Sequence, residues 1–234
     1  MIALFNEIFY RPIFNALIFI YNTVAFGDLG AAIILLTIFI RIVLFPLFHK
    51  TMKHQTEMQR LGPEIKKIQD DHKDNREKQA QALLEFYRQN KINPFSGFFL
   101  LIPQILVFIA LYSVFLKGIS EKTLLNLYGF VAAPPEVSSA FLGLIDLNNP
   151  NILIVGLAAI AQFFQGKLSL PKKTGGEPSL GENIGRQMVY IGPVMTIIIL
   201  MYLPAAVGLY WLTTSLVSVG QQAFINKSLQ NGKN

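Results

Sequence analysis

The sequence contains no cysteine. This absence excludes disulfide bonds, thiolate metal ligands and a lipid-modified N-terminal cysteine. The HExxH helix, the GxSxG nucleophile elbow and the glycine-rich phosphate loop are also missing, so the common signatures of hydrolases and nucleotide-binding proteins are absent. His49 and His54 lie five residues apart without a carboxylate cluster, a spacing that does not favour a metal site. We therefore expect no enzyme activity, no cofactor and no bound metal.

Charged residues are scarce as well. They make up 15% of the 234 residues, against about 25% in soluble domains. Four stretches contain neither Asp nor Glu: residues 29–49, 95–116, 150–166 and 187–222. An apolar run of about 18 or more residues can cross the ~30 Å hydrocarbon core of a bilayer as a helix. The composition therefore predicts an all-α integral membrane protein.

The apolar stretches predict five transmembrane helices. The last stretch would be about 54 Å long as a single helix, far beyond the thickness of one bilayer. Pro204 lies inside it, lacks a backbone donor and favours a break into two spans. The five predicted spans are residues 28–49, 93–117, 150–166, 186–203 and 205–226.

The basic residues are distributed unequally between the connecting segments. Of the 20 Lys and Arg residues, 16 lie in or beside three of them, residues 50–92, 167–185 and 227–234. Only three lie in or beside the other two, residues 1–27 and 118–149. Because cytoplasmic segments carry the excess of Lys and Arg, the first group is predicted to be cytoplasmic. The N-terminus would then lie outside and the C-terminus inside.

Residues 1–27 carry apolar side chains at helical spacing, interrupted by Asn and Glu. The least interrupted part, from Pro12 to Phe26, would be about 22 Å long as a helix, which is short for a span. An amphipathic helix in the extracytoplasmic interface is therefore predicted, and a sixth span is the alternative.

Residues 50–92 are polar and basic, with apolar residues spaced for one helical face. They predict a cytoplasmic helical hairpin from Lys50 to Lys91, whose first arm bends at Gly62-Pro63. The alternative is a solvated charged loop without defined structure. Residues 118–149 and 167–185, which contain Pro-Pro and Gly-Gly respectively, predict irregular loops.

Arg41 is the charged residue in the interior of a predicted span. A charge at that depth costs from about 3 to more than 10 kcal/mol unless water or a partner solvates it, and no acidic residue in the predicted spans offers a partner. We therefore predict a hydrophilic groove around it. The candidate lining residues are Thr37, Gln104, Gln162, Gln187, Trp211 and Ser215. Two alternatives remain, a side chain that extends from Arg41 to the inner interface and an interfacial aromatic belt for Trp211.

Several of these residues belong to motifs that resemble the YidC/Oxa/Alb insertase family. They lie in order along residues 36–222: LTIFIRIVLFPL at 36–47, Asn93-Pro94 with Gly97, Gln104, Ala110-Leu111-Tyr112, Gly208-Leu209-Tyr210-Trp211 and Gln221-Gln222. Arg41 falls on the intramembrane arginine of the family and Pro46 on its following proline. The chain departs from the family pattern at Phe98, Leu100, Leu106 and Ser215.

The resemblance implies a fold and a function. Five spans would enclose a groove that opens to the cytoplasm and sideways to lipid, in the plasma (inner) membrane of a bacterium. Through this groove the protein would move hydrophilic segments of small membrane proteins across the membrane and release their helices into lipid. Arg41 would attract acidic substrate residues, and the hairpin from Lys50 to Lys91 would receive substrates. Newly made membrane proteins would be the partners, with the ribosome and a Sec-type translocon as further candidates; no specific nucleic acid is expected.

Two other functions remain as alternatives. A small-solute or ion-coupled transporter normally uses an intramembrane Asp, Glu or His, and the predicted spans hold none in their interior. If the protein were a structural subunit of a membrane complex, the charge of Arg41 inside a span would have no explanation.

Overall fold

The computed structural model describes residues 2–91, 93, 98–170 and 180–231. The described part is mostly helical, and three helices are long and apolar enough to cross a membrane: Ala3–Thr23, Ile152–Ser169 and Asn183–Leu200. A fourth candidate is a bent pair, Leu29–Val43 with Phe45–Thr51. Ile102–Lys117 is a shorter apolar helix. The chain is therefore a helical membrane protein with three to four candidate spans in its described part.

The N-terminal region is one nearly continuous helix. Helix α1 (Ile2–Phe5) passes through a wider π-helical turn, Asn6–Tyr10, into α2 (Arg11–Thr23). Phe14, Leu17 and Ile18 on α2 are fully buried and pack in the same core as α3 (Leu29–Val43). This helix was expected to be amphipathic at the interface. Its length and hydropathy also fit a span, the interpretation held as the alternative.

The first predicted span is bent. Helix α3 ends at Val43 and α4 (Phe45–Arg60) continues at an angle of 57°. Pro46 accounts for the bend, because its ring crowds the carbonyl of Ile42 and it cannot donate to that group. The Ile42 carbonyl instead accepts from the Leu44 N–H at the end of α3.

The C-terminal half contains three long helices. They are α9 (Ile152–Ser169), α10 (Leu180–Leu200) and α11 (Ala205–Asn231). The break between the last two lies immediately before Ala205, where Pro204 was expected to end a helix. Helix α11 packs so closely on α9 that a Cβ added at Gly208 would lie only 3.0 Å from the side chain of Ile154. It also packs on α3.

The segment 118–149, between α7 (Phe98–Lys117) and α9, is more ordered than an irregular loop. It contains a short helix, α8 (Glu121–Leu124), and a β-hairpin of two antiparallel strands, β1 (Ala140–Phe141) and β2 (Ile145–Asp146). The expectation of an irregular loop rested on Pro134-Pro135 and was incomplete. The order comes from long-range contacts, which local composition does not reveal. The centre of the other predicted loop, 167–185, lies outside the described residues, as do Pro94 and Gly97.

The polar segment after α4 is helical on both arms. Helix α5 (Gly62–Asp71) and α6 (Arg76–Gln89) pack on each other, and Gln79 Nε2 donates to the Gln69 carbonyl at 2.7 Å. Pro63 lies in the first turn of α5, where a missing N–H costs nothing. The two helices occupy the segment for which a hairpin was predicted.

The two predicted ends of this hairpin have different local structures. Lys50 lies within α4, which runs from Phe45 to Arg60 without a break at that point, so the boundary between span and hairpin at Lys50 stays a prediction. The helix changes direction at Pro46 and then continues into the polar segment. Lys91 does follow the second arm. It lies in the turn after α6, where its φ is 53° and its N–H donates to the Arg88 carbonyl at 3.1 Å.

Candidate functional site

A cavity of about 880 Å³ lies among α3, α4, α7, α9, α10 and α11. Its wall is largely apolar, with Ile105, Phe108 and Met188 among the lining side chains. The polar groups are fewer: Gln104, Gln162, Gln165, Ser169, Trp211, Thr214, Ser215 and Ser218. Among the described residues that line the cavity, Arg41 is the only charged one. The described part of the wall therefore contains one positive charge and no carboxylate.

Arg41 lies about 18 Å along α3 from the start of that helix. Its guanidinium donates from one terminal nitrogen to the Ser218 hydroxyl and to Gln221 Oε1, the latter at 2.8 Å. Gln221 Nε2 in turn donates to the Arg41 carbonyl at 3.3 Å. The guanidinium carbon also lies 4.9 Å from the centre of the Phe48 ring. Helix α11 and the start of α4 thus fix the position of the charge.

The charge of Arg41 is solvated incompletely by the protein. Both side-chain acceptors are neutral, and the buried Arg41 Nε has no hydrogen-bond partner within the part of the chain that is described. A positive charge without a charged partner attracts an anionic group such as a carboxylate. An acidic group that entered the cavity would therefore be attracted to Arg41.

Gln104 connects α7 to α11 across the cavity wall. Its Nε2 donates to the hydroxyl of Tyr210. Pro103, the preceding residue, lies inside α7 and also lines the cavity. The Phe108 ring packs edge-on against Trp211 at 5.9 Å between centroids, so an aromatic pair closes the same wall next to the polar one.

Gln162 connects three helices. Its Oε1 accepts from the Thr196 hydroxyl on α10 and from Trp211 Nε1 on α11, the latter at 3.2 Å. Gly192 makes the approach of α10 possible, because a Cβ at this position would lie 3.1 Å from Gln162 Nε2. A polar contact between helices is favourable where water is scarce, and here it is placed at the cavity wall.

The structure brings five of the seven predicted groove residues to this cavity: Arg41, Gln104, Gln162, Trp211 and Ser215. Thr37 is not among the lining residues. It is 1% exposed, and its hydroxyl donates to the Ile33 carbonyl. Gln187 is exposed on α10 outside the cavity, although its neighbour Met188 lines it.

The predicted receiving hairpin is separate from the lining of the cavity. Lys50 and Lys91, the residues at its predicted ends, are both exposed, and neither is among the lining residues. The hairpin is joined to the cavity through α4, whose first turn supplies Phe48 to the lining and to the Arg41 guanidinium. Only His49 separates Phe48 from Lys50 along this helix. A substrate that contacts the basic start of the hairpin would therefore lie close to the cavity, and the receiving role stays a prediction.

Ser218 is a functional candidate that the sequence reasoning missed. A signal for it was present, since the polar residues Trp211, Thr214, Ser218 and Gln221 follow one another at helical spacing along α11. The stripe faces Arg41. No group of three or more His, Asp or Glu side chains that could hold a metal occurs among the described residues.

Comparison with known proteins gives consistent matches over most of the chain. The family model described as 60Kd inner membrane protein matches residues 19–233. The chain is similar to the membrane protein insertase YidC of Nitratidesulfovibrio vulgaris, with 32% identity over 215 residues, which cover 92% of this chain and 38% of that protein. It is similar to the YidC of Pelobacter propionicus, with 31% identity over 220 residues (93% and 38%). For the YidC of Hahella chejuensis the identity is 30% over 224 residues (95% and 35%). The chain thus spans little more than a third of the length of these curated relatives.

Proposed function

The chain belongs to the 60Kd inner membrane protein family, and from this membership we propose that it is a membrane protein insertase. It is a multi-pass protein of the bacterial inner membrane. In the proposed function, the cavity takes up a hydrophilic segment of a newly made membrane protein and releases the adjoining apolar helix into lipid. The structural observation that supports this proposal is the cavity, whose described lining is mostly apolar and contains a single charged residue, Arg41.

The proposed topology has five spans, with the N-terminus outside and the C-terminus inside. The spans are α3 with the start of α4, α7, α9, α10 and α11. Helix α11 is the least apolar of them, yet four of its polar residues are buried against protein: Thr213, Ser215, Ser218 and Gln222. Polar groups that face the protein are not in contact with lipid, so they are compatible with a span. The distribution of basic residues supports the orientation.

In the proposed function, the cavity solvates polar groups of the substrate while they cross the membrane. An apolar substrate helix enters the bilayer downhill, while each unpaired polar group that crosses hydrocarbon costs several kcal/mol. A cavity with polar groups on part of its wall, extending part of the way into the membrane, shortens that crossing. Arg41 lowers the cost further for acidic segments, because its positive charge stabilises a carboxylate at that depth.

Release into lipid requires an apolar wall beside the polar one. Phe108 and Ile105 of α7 and Met188 and Ile199 of α10 supply such a wall within the same cavity. In this proposal the acidic or polar flank of a substrate stays near Arg41 while its apolar helix moves along these side chains. The ribosome and a Sec-type translocon stay predicted partners, and the hairpin of α5 and α6 stays the predicted receiving element.

The test is insertion of a single-span substrate into liposomes that contain only this chain. For a substrate with acidic residues in the translocated segment, Arg41→Ala should slow insertion about tenfold, equivalent to ~1.4 kcal/mol. Arg41→Lys should retain most activity, because a point charge suffices. A neutral substrate should be little affected. Lys122→Ala, which removes a positive charge from an exposed position outside the cavity, is the matched control. Equal insertion of acidic and neutral substrates by Arg41→Ala would refute the role of the charge.

Access of water to the cavity can be tested separately. The chain has no cysteine, so single cysteines need no altered background. A cysteine at Gln104 should react with a membrane-impermeant thiol reagent. One at Thr37, four residues before Arg41 but buried outside the cavity lining, should not. An inert Gln104→Cys would mean that the cavity is closed to water.

A further inference from the structure

Two neighbouring turns expose large apolar side chains that the insertase mechanism does not use. Phe26, in the turn between α2 and α3, is 95% exposed, and Leu142 and Leu144, at the end of the β-hairpin, are 67% and 86% exposed. We refer to these three side chains as the apolar tip. Single exposed apolar residues are common on proteins, but three on two joined turns call for a physical reason.

The two turns are fixed to each other. Asp28 accepts the Ala31 N–H with Oδ1 at 2.8 Å, as the N-cap of α3, and the Leu142 N–H with Oδ2 at 2.6 Å. The neighbouring Phe141 ring lies directly on Gly30, where a Cβ would come within 2.1 Å of it. The apolar tip is thus held in place by the first turn of α3.

The backbone at the apolar tip is in an unfavourable conformation. Phe26 and Leu142 both have a φ of 52°, in the left-handed region that bulky L-residues rarely adopt. Each is followed by a glycine with positive φ, Gly27 at 80° and Gly143 at 69°. The fold therefore holds two large apolar side chains outward at an energetic disadvantage. In water such exposure brings no compensation, and strain of this kind indicates a functional surface.

The location of the apolar tip indicates what compensates for it. Asp28 immediately precedes α3, a helix with lipid-compatible exposed residues such as Phe39, 58% exposed. In the proposed topology α3 begins the first span, so the two turns lie at the end of a span, where hydrocarbon meets water. Three side chains are also far too small an area for a stable protein–protein interface, which buries roughly 800 Å² on each partner.

We propose that Phe26, Leu142 and Leu144 insert into the interfacial region of the lipid leaflet at which α3 begins. Side chains at this depth lie about 5–10 Å into the boundary between headgroups and acyl chains. Insertion would anchor the β-hairpin, and through Asp28 and Gly30 the start of α3, at a fixed depth. This inference rests on the membrane location of the chain and is independent of the insertase activity.

The experiment uses single cysteines, which the cysteine-free sequence permits. Spin labels are attached at Phe26→Cys, at Leu144→Cys and, as the control, at Glu136→Cys, an exposed charged position in the same segment. Each protein is reconstituted in phosphatidylethanolamine–phosphatidylglycerol vesicles, and relaxation by oxygen and by a water-soluble nickel chelate is compared. We expect a several-fold higher oxygen-to-nickel ratio at positions 26 and 144 than at 136.

Two results would overturn the proposal. Nickel accessibility at positions 26 and 144 equal to that at 136 would place the apolar tip in water. Labels at both positions that are immobile and shielded from both reagents would indicate contact with protein, either a second copy or another partner. Leu144 has an ordinary backbone conformation. Its label therefore reports on membrane insertion even if the substitution at Phe26 disturbs the turn between α2 and α3. A melting measurement on each labelled protein verifies that it is folded.

Discussion

The two longest segments between the apolar helices, residues 50–91 and 118–149, differ in their secondary structure and in how they are attached to the rest of the protein. The first is almost entirely helical, yet α6 contains no buried residue and α5 contains one, Ile65. The second has little regular structure but is joined to several helices. Asn15 accepts the Tyr128 N–H at 2.6 Å, and Asn22 Nδ2 donates to the Ala132 carbonyl at 2.8 Å.

The segment 118–149 also completes the start of α11. The N–H groups of Ala205 and Ala206, which no helical turn can satisfy, donate to the carbonyls of Asn149 and Leu147. Regular secondary structure and fixed position are therefore separate properties. Burial and long-range hydrogen bonds fix the irregular segment, whereas α5 and α6 bury a single residue between them, so we expect these two helices to move more readily against the membrane domain.

The largest expected effect on stability follows from Gly30. In Gly30→Val the added carbons would overlap the Phe141 ring, which a Cβ alone would already meet at 2.1 Å. We expect the free energy of unfolding to fall by about 3 kcal/mol, the upper part of the range for overpacking. Thermal unfolding in detergent measures it. Gly129→Val, in the same segment with open space around its Cβ position, is the control.

A second substitution tests the cause. The double variant Gly30→Val with Phe141→Ala removes the ring that obstructs the new side chain, so part of the loss should be regained. If the double variant is less stable than Gly30→Val alone by the full effect of Phe141→Ala, the two residues do not interact. The β-hairpin would then not be held by α3.

The next largest effect on the free energy of unfolding is expected at Asn15. It is 3% exposed, and its side chain bonds both the Tyr128 N–H and the Asn126 carbonyl. Asn15→Leu should cost about 2 kcal/mol, because it leaves the part-buried Tyr128 N–H without its acceptor, whereas the Asn126 carbonyl still accepts from Arg11 Nε. The control is Asn22→Leu, whose lost bond to Ala132 is exposed and can be replaced by water. Equal melting temperatures for the two variants would contradict the assigned role of burial.

A smaller, pH-dependent effect is expected at Asp146. The pKa of its carboxyl is lowered by the backbone N–H of Asn148, and further by the side chains of Asn149 and Ser139. A lowered pKa in the folded state stabilises the fold above the ordinary pKa of about 4, and this contribution is lost as the pH falls through the lower folded value. Asp146→Asn should therefore lower the melting temperature slightly at pH 6, and this difference should shrink as the pH falls below 4. A constant difference between the two proteins across this range would refute the linkage.

The sequence predicted most of what local physics controls. Apolar runs located the long helices, and Pro204 indicated the break before α11. It could not predict the order of residues 118–149, because the contacts that create it join residues more than 110 positions apart, such as Asn15 with Tyr128 and Asp28 with Leu142. No periodic pattern within residues 118–149 indicates these long-range contacts.

The candidate site was predictable to a similar extent. The unpaired charge of Arg41 predicted a hydrophilic groove, and five of the proposed residues do line a cavity, although its wall is largely apolar. Their role in transport stays a prediction. Thr37 was included because it lies four residues before Arg41. Four residues turn a helix by about 400°, so the two side chains are offset by ~40°, and Thr37 falls into the packed core instead. Which edge of a helical face is buried depends on the neighbouring helices.

The smallest expected effect on stability comes from the largest change in sequence. Replacing residues 59–88 with a short Gly/Ser linker removes α5 and most of α6, which have a single buried residue, Ile65, between them. We expect the melting temperature of the membrane domain to stay nearly unchanged, because little packing is lost. Insertion in the liposome assay should nevertheless be impaired, since this hairpin is proposed to receive substrates.

Replacing residues 138–147 in the same way is the matched control. It removes Phe141 and the fully buried Leu147, and with them the carbonyl that caps Ala206, so it should destabilise the fold although it is a third as long. If the first replacement unfolds the protein and the second does not, the roles assigned to the two segments are reversed.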